Sequence, residues 1–110
     1  MSEDVVGEVL LYATAPNRGA ALAIVRSLLE DRLIACANVI DGATSLYRWE
    51  GKIEEAGESL IFAKSTSRQV SDIVDRIKEL HEYSCPCVIA MPIVAGNADF
   101  LQWIGAETKR

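Results

Sequence analysis

The order of elements in this chain predicts an α+β fold, a ferredoxin-like βαββαβ sandwich with a long hairpin between its second and third strands and an added C-terminal helix. Three observations carry that expectation. The hydrophobic period alternates between strand-like and helix-like in the order β-α-β-β-α-β-α. A two-residue turn signal, Glu50-Gly51, sits between two long extended runs. The chain has 110 residues, 50% hydrophobic and 25% charged, which suits one domain over residues 1–110, since two would each be short of core.

Each element has its own signal. Residues 1–7 read as a partly ordered N-terminal extension. Val9 to Ala13 is an apolar run of strand length that Pro16-Asn17 ends. Asn17 is a good N-cap, and Ala21, Leu22, Val25, Leu28 and Leu29 follow at helical spacing, giving a helix from about Arg18 to Asp31. Ile34 to Ile40 is extended, Asp41-Gly42 breaks it, and Thr44 to Trp49 resumes it. The return strand starts at Lys52, with a bulge or kink expected at Ala56-Gly57, and continues through Lys64. Thr66 and Gln69 fit a capping box, in which each side chain bonds the other's backbone N–H. Val70, Ile73, Val74, Ile77 and His81 then make one helical stripe. Cys87 to Met91 is a buried-strand run, and Asn97 caps a last helix carrying Phe100, Leu101, Trp103 and Ile104.

Length adds a constraint. Ile34 to Trp49 is 16 residues, which extended would reach roughly 50 Å. A domain of this size has a radius of gyration near ~13 Å. The hairpin must therefore bend at Asp41-Gly42 or project past its sheet. A projecting ribbon exposes edges that invite another chain, so oligomerisation through the hairpin is expected.

Charge and targeting narrow the function. Lys and Arg number 11 against 16 Asp and Glu, a formal net charge of −5, which argues against nucleic acid as a partner. The acidic start lacks the positive region of a signal peptide, and the charge-free run from Ser84 to Ala98 is too short to span a membrane. Three cysteines, Cys36, Cys85 and Cys87, do not make a disulfide framework, so reduced thiols and a cytoplasmic location are expected.

Few residues are equipped for chemistry. His81 is the one histidine, and neither a nucleophile elbow nor a phosphate loop is present, so no enzymatic role is expected. His81, Cys85 and Cys87 lie within seven residues and combine imidazole with thiols, a donor set that suits Cu(I) or Zn. The spacing is not that of a closed zinc centre, and free cysteine also packs as a small hydrophobe. Cys36, mid-strand, is read as core. His81 also suits a helix C-terminus electrostatically. Glu50, Glu54, Glu55 and Glu58 read as a solvated strand face, whereas Trp49 at a ribbon tip is expected to pack against a partner subunit, joined by Tyr47 and Tyr83.

Several of these segments resemble one family. Leu28 to Val39 is similar to the "LLEERLAACVNV" stretch of the CutA divalent-cation tolerance proteins, and Gly42 to Glu54 is similar to that family's "G-x-T-S-x-Y-x-W-x-G-K-x-E". The likeness continues through Lys64-Ser65-Thr66, Leu80-His81-x-Tyr83, Pro86, Pro92, Gly96-Asn97 and Leu101-x-Trp103-Ile104. The resemblance implies a ferredoxin-like homotrimer built through long hairpins, cytoplasmic, linked to tolerance of copper and other divalent cations. It implies no reaction and no required cofactor. Family clefts between subunits lie near positions matching Trp49, Lys64 and Tyr83, which makes these candidates for a small-ligand pocket. In some members copper is associated with a first-strand cysteine and a histidine near the end of the second helix. Here those positions are Ala13 and His81. The family's "H-P-Y-x-x-P-E" becomes His81 to Cys87, with Cys85 added and Cys87 in place of the acid. Either the soft ligands have moved beside His81, or the cysteines are neutral replacements. The alternative to metal tolerance is a trimeric signalling or scaffold module like the PII regulators, with an anionic small ligand or a protein partner in the clefts.

Overall fold

The computed structural model describes residues 7–109; the expected N-terminal extension falls, apart from Gly7, outside the described residues. Strands β1 (Glu8–Ala15), β2 (Cys36–Trp49), β3 (Lys52–Thr66) and β4 (Val88–Pro92) form one sheet, in the order β2-β3-β1-β4. Every neighbouring pair is antiparallel. Helices α1 (Arg18–Glu30) and α2 (Val70–Leu80) connect them, and α3 (Ala98–Glu107) follows β4. The α+β, ferredoxin-like expectation holds, added helix included.

Strand alternation sorts the sheet into two faces. Val9, Leu11, Ala13 and Ala15 of β1 and Ile61 and Ala63 of β3 point to one side. There they pack with Ala21, Ile24, Val25 and Leu28 of α1 and Ile73 and Ile77 of α2 into the core. The other face lies away from α1 and α2 and shows Ile40, Ile89 and Met91 to solvent.

Both ends of α1 follow from local chemistry. The Asn17 side chain accepts from Ala20 N–H at 2.8 Å. At the far end Leu33 N–H reaches Leu28 C=O at 2.9 Å and Arg32 N–H reaches Leu29 C=O at 3.0 Å, the Schellman pattern. Arg32 stands in the left-handed region there, with φ 56°, where glycine is usual. Its guanidinium donates to Ala106 C=O at 2.9 Å and so ties α1 to α3.

The start of the second helix differs from the sequence reading. Thr66 makes no side-chain cap bond, and a 3-10 turn, Ser67–Gln69, precedes α2. Gln69 is buried and its amide donates to Lys109 C=O. The capping box loses because a long-range bond to the chain beyond α3 uses the glutamine.

The long hairpin both bends and projects. Glu50 (φ 51°) and Gly51 (φ 82°) make the left-handed two-residue turn that matches strand twist. Pairing of β1 with β3 stops at Ala15↔Ser59, so Lys52 to Glu58 of β3 pair with β2 alone. The molecule is accordingly 43 Å long against 29 and 25 Å across.

The bend is a β-bulge. Ile40 pairs with Leu60 and Ala43 with Glu58, leaving Asp41 and Gly42 opposite Ser59 alone. Ser59 Oγ donates to Asp41 at 2.9 Å, and Arg18 at the start of α1 reaches the other carboxylate oxygen at 3.3 Å. Gly42 has φ 84°. No irregularity occurs at Ala56-Gly57, which pair regularly with Ser45 and Thr44; the bulge expected on β3 belongs to β2. Cys36 is half-buried at the start of β2 rather than core, because it lies on the face away from α1 and α2, opposite Lys64.

A Cβ at Gly42 would meet nothing within 4 Å, so its substitution is limited by backbone conformation alone. Gly42→Ala is expected to lower stability by about 1–2 kcal/mol. Gly57→Ala, with equally open space and no left-handed φ, should be neutral or stabilising by up to about 1 kcal/mol. Urea unfolding of the two variants measures both.

Candidate functional site

The bulge decides which hairpin residues share a surface. Before it, even-numbered residues of β2 face the side away from α1 and α2. After it, Ala43, Ser45, Tyr47 and Trp49 do, because two residues stand against one. Of these, Ser45, Tyr47 and Trp49, with Leu46 beside them, meet Glu58 of β3 and Tyr12 and Thr14 of β1 along one wall of a cleft. The segment from Tyr83 to Cys87, between α2 and β4, makes the opposite wall, and the cavity holds about 540 Å³.

His81 anchors that segment. Its Nδ1 accepts from Tyr83 N–H at 3.1 Å, while Nε2 lies 2.7 Å from Thr14 C=O. An acceptor role at Nδ1 places the proton on Nε2, so the ring is a neutral imidazole with both nitrogens used. The Tyr83 ring lies 4.5 Å from it, centroid to centroid. The expected complement to the helix C-terminus is replaced by this cross-link to β1; only the backbone N–H of His81 serves α2, reaching Ile77 C=O at 2.9 Å.

Glu58 joins the two walls. One carboxylate oxygen accepts from Ser45 Oγ at 2.5 Å and the other from the Tyr83 hydroxyl at 3.1 Å. Both donors are neutral, and no ion pair at Glu58 is found among the described residues. The sequence reading took Glu58 for part of a solvated face; alternation along β3 places it on the cleft side, and the bulge on β2 brings Ser45 to meet it. Burial raises the pKa of the Tyr83 phenol above the ordinary tyrosine value, with Glu58, Tyr47 and Glu82 adding to the rise. Burial also pushes the Cys87 thiol up, as does the Glu58 charge, against a lowering hydrogen bond with Thr14.

The candidate ligands distribute unevenly. Cys85 and Cys87 are free thiols, both exposed, and both line the cleft. His81 sits behind it with its nitrogens engaged. Among the described residues no group of three or more His, Cys, Asp or Glu could hold a metal ion. Ala13, matching the family's first-strand cysteine, is buried in the core at 3% exposure. Trp49 and Tyr83 line the same cleft, whereas Lys64 lies outside it and donates to Asn38 Oδ1 at 2.7 Å. Tyr12, Ser45 and Glu58 are cleft residues the sequence reading missed. Only the parity change at Asp41-Gly42 could have revealed Ser45 there.

Fold and site together define a class, an α+β sandwich whose projecting ribbon forms one wall of an acidic, aromatic cleft. Residues 9–107 match the model of the family described as CutA1 divalent ion tolerance protein, and the chain belongs to that family. The Divalent-cation tolerance protein CutA of Thermus thermophilus is 38% identical over 92% of this chain and 98% of its own length. Protein CutA, chloroplastic, of Arabidopsis thaliana is 33% identical over 98% of this chain, which spans 59% of that longer relative. Among solved structures, the Thermus thermophilus Cut A1 protein superposes with a TM-score of 0.91 at 37% identity, covering 93% of this chain and 99% of that one. The periplasmic divalent cation tolerance protein CutA of Archaeoglobus fulgidus gives 0.89 at 37% identity, with the same coverage. These names carry no reaction. No helix among the described residues is long and apolar enough to cross a membrane.

The phenol of Tyr83 should ionise above the ordinary tyrosine range in an absorbance titration at 295 nm. Glu58→Gln should bring it down only in part, because burial is the larger cause. Since the folded pKa lies above the unfolded one, the unfolded chain releases this proton first. Stability from Tyr83 is therefore intact below about pH 10 and declines as pH rises past it. Tyr83→Phe should flatten that decline.

Proposed function

We propose that this chain is a cytoplasmic homotrimer that contributes to divalent metal ion tolerance by binding metal ions, copper among them, without catalysing a reaction. Membership of the divalent ion tolerance family carries the reading. Cys85 and Cys87 supply soft donors two residues apart on one cleft wall, and thiolates select Cu(I) and zinc over hard cations. His81 is the third donor of the set, and it joins only by giving up a hydrogen bond to Thr14 or Tyr83. No cofactor is required for folding in this reading; the metal is cargo.

Assembly rests on the ribbon. Leu46 and Ile53 on the unsupported part of the hairpin are 65% and 71% exposed, and the sheet face beside them, away from α1 and α2, is apolar. A symmetric association through these surfaces covers both. Sedimentation at low micromolar concentration should give about 36 kDa, three times the 12.0 kDa chain. A monomer there overturns the trimer.

For the metal, reduced protein titrated with Cu(I) in competition with a colorimetric chelator is compared with a Cys85→Ser/Cys87→Ser/His81→Ala variant. Tight binding by the parent and its loss in the variant are expected. Equal binding by both removes the site. Folding of the variant is checked by circular dichroism.

The cleft itself favours a second reading, a small-ligand or partner-binding module on the plan of the PII regulators. A cavity of about 540 Å³ is of the size that holds a small molecule, with Trp49 and Tyr83 in its lining and Lys64 available only from outside it.

A further inference from the structure

We propose that the cleft between the ribbon and the 81–87 segment binds a small organic cation of the alkylammonium class, held by the faces of Tyr12, Tyr47, Trp49 and Tyr83 and by the Glu58 carboxylate. The proposal rests on the small-ligand reading of the cleft, requires that association through the ribbon leave the cleft open, and does not depend on the metal reading.

Size gives the first argument. About 540 Å³ lies within the range of pockets for small organic ligands and far exceeds the space a bare ion fills. Composition gives the second. The chain has three tyrosines and two tryptophans, and all the tyrosines and one tryptophan line this cavity. Aromatic faces carry negative quadrupole charge and attract ammonium groups, most strongly where water is displaced.

Charge decides between ligand classes. Glu58 lines the cleft, and no lysine, arginine or histidine among the described residues does. Its hydrogen bonds come from two neutral hydroxyls, Ser45 and Tyr83, so the carboxylate is positioned without being neutralised. An anionic ligand, the expectation drawn from the PII plan, is repelled here. A neutral apolar ligand would fill the aromatic walls and gain nothing from Glu58. An organic cation uses both.

The test compares choline with 3,3-dimethyl-1-butanol, which has the same shape without the charge, on reduced full-length protein in its native oligomeric state. Saturation-transfer NMR of the methyl groups and quenching of tryptophan fluorescence are the readouts. Choline should bind saturably, and the neutral analogue at least about tenfold more weakly. Glu58→Gln keeps the hydrogen-bonding shape and should cost about tenfold in choline affinity, and Trp49→Leu a similar loss. Where either variant alters the circular dichroism or the oligomer mass, the other decides. The Cys85→Ser/Cys87→Ser variant should lose Cu(I) while keeping saturable choline binding and its preference over the neutral analogue, which separates this proposal from the metal reading. Equal binding of the two probes, no effect of either cleft variant, or no saturable choline binding up to ~10 mM overturns it; the last result includes a cleft closed by a second copy.

Discussion

The two-for-one bulge at Asp41-Gly42 is the constraint on which the cleft depends. A strand alternates its side chains with a period of two, so one extra residue exchanges the faces of everything beyond it. With the bulge, Ser45, Tyr47 and Trp49 join Tyr12 and Glu58. Without it, Thr44, Leu46 and Arg48 would occupy that side, turning the Tyr47 and Trp49 rings away. The local structure is secured from three directions: the left-handed glycine, the Ser59 hydroxyl and the Arg18 guanidinium. Because Arg18 opens α1, an exposed ion pair also links the bulge to the helical layer.

The opposite wall depends on a single side chain. His81 bridges a strand carbonyl and a loop amide with its two nitrogens, and so fixes the chain leaving α2 against β1. A charged imidazole would present N–H at both nitrogens and set one of them against the Tyr83 amide. The neutral ring is therefore part of the wall's architecture. The Tyr83 hydroxyl then completes the closure by bonding Glu58 across the cleft. Two elements far apart in sequence meet through one carboxylate, and neither wall needs a ligand to hold its shape.

Much of the fold could be read before the structure, since it rests on local signals. Asn17 as a cap, the apolar stripe of α2, the Glu50-Gly51 turn and the break at Asp41-Gly42 are all short-range features, and each appears as expected. The misses share a cause. Gln69 was assigned to Thr66 three residues away, but it bonds Lys109, 40 residues away. Glu58 was read from its acidic neighbours, but its environment is set by Tyr83, 25 residues away, and by a parity change on the other strand. Cys36 was judged by its apolar neighbours, although alternation put it on the uncovered face. Trp49 and Tyr83 were grouped as aromatics at a partner contact, and by the resemblance at a cleft between subunits; the cleft between them within one chain is visible only in three dimensions.

The cysteines and the cleft charge then belong to one electrostatic problem. Glu58 contributes to raising the Cys87 pKa, which makes a bare thiolate unfavourable there at neutral pH. The same negative potential stabilises any cation that replaces the thiol proton, because the exchange of a proton for a metal ion leaves positive charge beside the carboxylate. The cleft therefore opposes free thiolate and favours positive charge, whether carried by a metal on sulfur or by an ammonium group over the rings. Glu58 acts on both through its field, whereas the aromatic faces favour the ammonium group and the thiols the metal. The acid sets the sign of the ligand, and the walls set its chemical class.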